Sequence, residues 1–151
     1  MTSDLVPDSV PVLDPAQFDV DSSADRIELD VAWAFLSTEA YWARWRTRED
    51  FETQVANAWR VVGAYRHSDG AMVGFARATS DGVSYAYLAD VFVLPAARGI
   101  GLAQRILAEM IDPAPGNTFR WALHTADAHG LYEKFGFSPA DPKYLERRST
   151  R

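Results

Sequence analysis

Residues 26–148 predict one α/β domain of the mixed α+β kind, a mostly antiparallel central sheet with helices on both faces. Three observations predict it. The chain has 151 residues, a length that suits one domain around a single core. Residues 59–94 hold three runs rich in β-branched and aromatic residues, joined by the short turns His67-Ser68-Asp69-Gly70 and Asp81-Gly82, and so read as an antiparallel meander. From Val83 to Thr125 a strand, a glycine-containing turn, a helix and a further strand follow one another. Such a unit closes as a right-handed parallel crossover.

The elements are justified in order. Residues 1–25 carry Pro7, Pro11 and Pro15 among acids and small residues and read as a flexible acidic leader. Arg26–Leu29 is expected as a short first strand. Asp30 is placed to cap a helix over Val31–Leu36. Thr47 suits the N-cap of a second helix running to about Ala58, with Asp50 three residues on to complete a capping pair. Trp59–Arg66, Ala71–Ser80 and Val83–Leu94 are the meander strands, and Asp81-Gly82 is a strong hairpin signal. Gly101–Ile111 is a helix broken by Pro113-Ala114-Pro115-Gly116. Phe119–Thr125 is the fourth of these later strands, and Asp127–Phe135 a helix stopped by Gly136. The tail after Phe137 has room for one short strand.

Composition narrows the function. The net charge is −6, but residues 1–30 hold eight acids and one base, so the remainder carries a charge of +1. An acidic leader and the lack of a long basic run argue against nucleic acid as a partner. No apolar run approaches the length of a membrane span, and the N-terminus does not read as a signal peptide. There is no Cys, which removes disulfides, thiolate metal sites and a Cys nucleophile. No His, Asp and Glu cluster has metal-ligand spacing, so no metal is expected. The cytoplasm is the expected compartment.

The most informative stretch is Val93-Leu94-Pro95-Ala96-Ala97-Arg98-Gly99-Ile100-Gly101-Leu102-Ala103. A strand, a glycine turn and a helix N-terminus make an anion cradle, with backbone N–H groups and the helix dipole aimed at the ligand. Glycines let a phosphate approach with no Cβ in the way, and Arg98 adds a charge at the mouth. Arg98-Gly99-Ile100-Gly101-Leu102-Ala103 resembles the pyrophosphate loop of the GCN5-related N-acetyltransferase (GNAT) family, Gln/Arg-x-x-Gly-x-Gly/Ala. Val93-Leu94-Pro95 stands upstream at the family's spacing. Ala128-His129-Gly130-Leu131-Tyr132-Glu133-Lys134-Phe135-Gly136-Phe137 resembles its Ala-x-x-Leu-Tyr-x-x-x-Gly-Phe segment. These motifs cover roughly residues 83–137.

The resemblance implies a GNAT-like fold and acetyl-CoA as co-substrate. It implies main-chain contacts from Val91, Phe92 and Val93 to the pantetheine arm and acetyl carbonyl, and a pyrophosphate held by Arg98, Gly99, Ile100, Gly101, Leu102 and Ala103. Where many members carry an Asn that reaches the cofactor, this chain has Thr125, which is shorter and donates one hydrogen bond. The matching tyrosine, Tyr132, would sit beside the cofactor sulfur. A phenol with an ordinary pKa near ~10 stays protonated at neutral pH and can donate to a departing thiolate. Direct transfer needs no covalent enzyme intermediate, in keeping with the absence of Cys.

Asp90 is the expected base, a carboxylate in an apolar strand whose burial would raise its pKa. Ordered water is the alternative. Tyr41, Trp42 and Arg46 are candidate acceptor contacts, through stacking or cation–π contact and carboxylate pairing. His129, one turn before Tyr132, is a fourth. His67 and His124 read as structural. The expectation is an acetyl-CoA-dependent N-acetyltransferase acting on a primary amine, more readily a small molecule than a protein. Exposed edges of such sheets often pair, so a homodimer is a further expectation. A non-catalytic acyl-CoA sensor or interaction module on the same fold is the alternative. A dinucleotide oxidoreductase fails on context, since Gln104 fills the third glycine position and too little chain remains for a second mononucleotide half.

Overall fold

The computed structural model describes residues 12–40 and 45–151. Five strands and four α-helices are described: β1 (Phe18–Asp21), α1 (Leu29–Thr38), α2 (Arg48–Ala56), β2 (Arg60–Arg66), β3 (Met72–Ser80), β4 (Tyr85–Val93), α3 (Leu102–Ile111), β5 (Arg120–Ala122) and α4 (His129–Glu133). The sheet order is β1-β2-β3-β4-β5. The first three pairings are antiparallel and β4–β5 is parallel. The mixed, mostly antiparallel sheet and its crossover through α3 are as the sequence predicts.

Alternation along the strands divides the core in two. Val62, Ala64, Ala78 and Leu88 face α3, which buries Leu102, Ile106, Leu107, Met110 and Ile111 against them. Val61, Tyr65, Phe75 and Phe92 face the other way, onto Phe35 and Leu36 of α1 and Phe51 of α2. Phe35 stacks on Phe92 with ring centroids 4.3 Å apart. Gly74 lets α3 come close, because a Cβ there would lie 2.8 Å from Ile106 Cδ1.

Local chemistry sets the helix starts. Thr47 Oγ1 accepts from Asp50 N at 3.1 Å, and Asp50 Oδ2 accepts from Thr47 N at 3.0 Å. This is the expected capping box. The first helix differs from its expectation. It begins at Leu29, with Glu28 in the cap position, and the Glu28 carboxylate accepts from Met72 N of β3 at 2.6 Å instead of from its own helix. Asp30 lies inside the helix and pairs with Arg48 at 2.7 Å.

The expected leader boundary is corrected too. The first strand is Phe18–Asp21, not Arg26–Leu29, and it lies within the stretch read as a flexible leader. Its alternation buries Phe18 to 4 % exposure. Arg105 of α3 donates to Phe18 O at 2.8 Å and to Pro15 O at 2.9 Å. His67 Nε2 meets Asp19 Oδ1 at 2.6 Å, a structural contact between β1 and the β2–β3 turn. No strand is found in the tail after Phe137 among the described residues. Also among them, no helix is long and apolar enough to cross a membrane.

Candidate active site

The site is a fork in the sheet. β4 and β5 pair only from Tyr85↔Arg120 to Tyr87↔Ala122. Beyond Tyr87, β4 runs on for six residues to Val93, and on its β5 side no strand pairs with it among the described residues. The stretch Leu123–Thr125, expected as strand, instead leaves the sheet. An unpaired strand edge offers main-chain N–H and C=O groups to any ligand with amides. Val91, Phe92 and Val93 lie on this edge. Their side chains are core: Phe92 and Val93 are buried, and Val91 packs against the α3 side.

A bulge bends β4 at the fork. Phe75 pairs with Phe92 while Arg77 pairs with Ala89, so Asp90 and Val91 together oppose Ala76. Asp90 adopts φ 57°, a left-handed conformation that Asp tolerates better than most residues. Its side chain is held from two sides. Arg46 donates Nη2 to Oδ1 at 2.7 Å and Nη1 to Oδ2 at 2.9 Å, and Arg77 donates Nε to Oδ2 at 2.5 Å. All three side chains are buried. Gln54 accepts a further bond from Arg46 at 2.6 Å.

Two expectations change here. Asp90 is not an open carboxylate waiting for a proton, because both oxygens are already taken by guanidinium groups. Arg46 spends its fork on Asp90 and on Gln54, so it is not free to clamp a substrate carboxylate. Arg77 was missed. Its signal was a lone charge inside the apolar run Met72–Ala78, matching the lone Asp90 on the neighbouring strand.

The glycine turn leads from β4 into α3. Gly99 and Gly101 have φ +84° and +81°, and a Cβ on either would meet no described atom within 4 Å. Gly101 is the N-cap of α3 and no side chain caps it. The first-turn N–H groups therefore face an open concavity of about 160 Å³, lined by Val93, Arg98, Gly99, Gly101, Ala103 and Leu131 among others. Arg98 folds back and donates Nε to Val93 O at 2.8 Å, tying the turn to the end of β4. Leu102 points into the core, and Ile100 packs on it in part.

A second cavity of about 310 Å³ occupies the fork itself. Leu88 to Val91 form one wall and Leu123 to Thr125 the other, with Trp45, Arg46, Arg77, Tyr87, Asp127, Ala128 and Tyr132 closing it. α4 joins the two spaces, since Leu131 borders the first and Tyr132 the second. Burial, with Asp127 adding to it, pushes the Tyr132 phenol above its ordinary pKa. Thr125 Oγ1 accepts from Ala128 N at 3.2 Å and so caps the turn into α4. His129 is exposed, its Nε2 is 3.2 Å from Thr125 O, and it does not border the cavity. Tyr41 and Trp42 lie outside the described residues. His124, expected as structural, lines the cavity beside Tyr87. No cluster suited to a metal ion occurs among the described residues.

A forked sheet beside a glycine-lined helix start is what the resemblance of the Arg98–Ala103 turn implies for an acyl-CoA donor. The family model for the acetyltransferase (GNAT) domain matches residues 57–139, more than half of the chain, and the protein belongs to that family. A Xanthomonas campestris pv. campestris structure described as a candidate GNAT-family acetyltransferase superposes with a TM-score of 0.81 at 30% identity, over 88% of this chain and 93% of that one. A Gibberella zeae protein named as a candidate acetyltransferase is 29% identical over 131 residues, covering 80% of this chain and 73% of the relative. A Clostridium acetobutylicum structure, described as a candidate acetyltransferase with acetyl-CoA, shares the fold at TM-score 0.64 and 15% identity, over 87% and 96% of the two chains. The protein is thus an acetyltransferase, and acetyl-CoA is the donor its family uses.

Proposed function

We propose that this protein transfers acetyl from acetyl-CoA directly to the primary amine of a small molecule. The observation that carries the reading is the fork: a β4 edge, free of a strand partner among the described residues, that runs from the glycine turn to a partly open cavity bordered by Tyr132. The open edge from Val91 to Val93 suits the amides of the pantetheine arm. The Gly99–Ala103 backbone and the α3 N-terminus suit the pyrophosphate. The cavity volume, about 310 Å³, is at the small end of ligand pockets, which favours a small acceptor over a folded protein surface.

The chemistry follows from the placement. The amine nitrogen attacks the thioester carbon, and the C–S bond breaks. Tyr132 donates its proton to the departing thiolate. Burial suits it to the task, because it keeps the phenol protonated to higher pH. Asp90, with Arg46 and Arg77, is a positioning residue that holds the β4 bulge and so aims the backbone of Val91 and Phe92 at the thioester. Thr125 shapes the turn into α4 and keeps its hydroxyl hydrogen for the donor.

The test is to incubate the full chain with acetyl-CoA and a panel of amino acids, polyamines, amino sugars and aryl amines. Thiol release and acetylated products by mass spectrometry are read together. An acetylated small amine supports the reading. Saturable acetyl-CoA binding with no product from any amine would leave a sensor or a protein acceptor in its place.

A further inference from the structure

The wall of the fork cavity carries a chain of polar groups that the acetyl transfer just described does not use. Tyr87 on β4 meets His124 with its Oη 2.5 Å from Nδ1. The other ring nitrogen, Nε2, lies 2.5 Å from Glu146 Oε2, supplied by the C-terminal tail. A carboxylate accepts only, so it fixes the Nε2–H tautomer of the neutral ring and leaves Nδ1 as an acceptor. Tyr87 then donates its O–H to Nδ1, and the phenol oxygen keeps its lone pairs. Tyr87 and His124 both border the cavity, as do Thr125, Asp127 and Tyr132.

We propose that Tyr87, His124 and Glu146 form the relay that takes the proton from the acceptor ammonium. This rests on the transferase reading and deepens it. Tyr87 is the group that meets the amine. As the ammonium gives a proton to Tyr87 Oη, the phenol proton passes to His124 Nδ1. The product is a neutral amine with a free lone pair and an imidazolium held by Glu146. The proton leaves from Nε2 through Glu146, whose side chain is 40 % exposed, to water, and exchange with solvent restores the resting tautomer of the ring. The amine loses its second proton as the amide forms, which balances the proton given to the thiolate.

Two of the other candidates from the sequence fit the role less well. Asp90 has both oxygens engaged, and His129 does not border the cavity. The groups facing the relay are Arg77 from β3, Tyr85 from β4, Tyr144 and Glu146 from the tail, and Asp127 across the cavity. Burial, then Tyr144 and Glu146, push the Tyr87 phenol above its ordinary pKa, with Arg77 opposing. The phenol thus stays a donor to His124.

The experiment is the pH profile of kcat/KM for the full chain, with the panel amine that is turned over fastest. Wild type is compared with Tyr87→Phe, His124→Asn and Glu146→Gln, and acetyl-CoA affinity and Tm are measured for each. Loss of the relay is expected to lower kcat/KM at neutral pH on the order of 10²-fold for Tyr87→Phe and His124→Asn. The deficit should shrink as pH rises, because the amine then arrives already deprotonated. Glu146→Gln should lower kcat/KM at neutral pH as well, because an amide can donate to Nε2 and no longer fixes the Nε2–H tautomer. Acetyl-CoA affinity should not change. A deficit that is constant across pH, or an acid limb that stays in place in His124→Asn, overturns the relay and leaves the transferase reading intact. No turnover of any amine, with acetyl-CoA still bound, overturns both.

Discussion

A single tyrosine, Tyr132, bears most of the chemistry proposed here, and a second, Tyr65, shows how an ordinary residue looks by contrast. Tyr132→Phe removes the only proton that side chain can give. It is expected to lower kcat on the order of 10²-fold or more while acetyl-CoA affinity stays near wild type, which steady-state kinetics with a binding isotherm would check. An unchanged kcat would end the acid assignment. Tyr65 lies in the core at 1 % exposure, and its hydroxyl has no hydrogen-bond partner among the described residues. Its phenol is pushed up to about 12, chiefly by burial. The folded state therefore holds this proton more tightly than the unfolded chain does. That stabilisation is complete below pH ~10 and is lost as pH rises toward 12, at about 1.4 kcal/mol per pH unit. Tyr65→Phe is expected to remove this alkaline loss and to raise stability at pH 7 by up to about 1 kcal/mol, since it deletes an unpaired buried hydroxyl. Urea melts at pH 7 and pH 11 read both effects. Gly63 is fixed by the same ring, because a Cβ there would lie 2.2 Å from Tyr65 Oη.

At the scale of elements, the bulged β4 and its ion cluster decide the shape of the site. Asp90→Asn leaves two buried guanidinium groups without their carboxylate. Breaking a buried pair in this way costs roughly 3–5 kcal/mol, so the variant is expected to lose stability by that amount, seen in denaturant melts. A catalytic base would behave otherwise: activity would collapse while the fold held. Much of this level was legible in the sequence. The hairpin turns, the Thr47–Asp50 capping box, α3 and the glycine turn all rest on local chemistry, and local chemistry is what a sequence displays. The role of Asp90 was not legible, because its partners Arg46 and Arg77 are 44 and 13 residues away and meet it only once the sheet forms. His124 reads as structural in the sequence for the same reason. Nothing local to it announces Tyr87 or Glu146, and the stretch that holds it leaves the sheet three residues earlier than its strand-like composition suggests. The cofactor turn was legible because one continuous segment builds it. The cavity was not, because it draws on β3, β4, the segment before α2, the stretch after β5 and α4.

For the whole molecule, the question is where the domain begins. Prolines and acids made residues 1–25 look like a leader, yet Phe18–Asp21 is the edge strand β1, paired with β2 from Phe18↔Arg66 to Asp21↔Gly63. Its alternation of apolar and acidic residues was a strand signal only four residues long, too short to outweigh its neighbours. The strand fastens both layers. Phe18 joins the core on the α3 side, Arg105 ties α3 to the backbone at Pro15 and Phe18, and Arg26 just beyond lies 3.8 Å over the ring of Tyr65. Burying a phenylalanine alone is worth about 1.5–3 kcal/mol, and the β2 edge would lose its ladder partners as well. A chain beginning at Arg26 is therefore expected to melt at lower temperature than one beginning at Val12, and to associate through the bared β2 edge at high concentration. Acetyl-CoA affinity separates this from a cofactor role, since no residue of β1 borders the glycine turn or the fork. If β1 is only a structural strand, the shorter chain binds acetyl-CoA with near-normal affinity wherever it remains folded. A large loss of affinity in chain that is still folded would instead mean that the N-terminal segment reaches the donor.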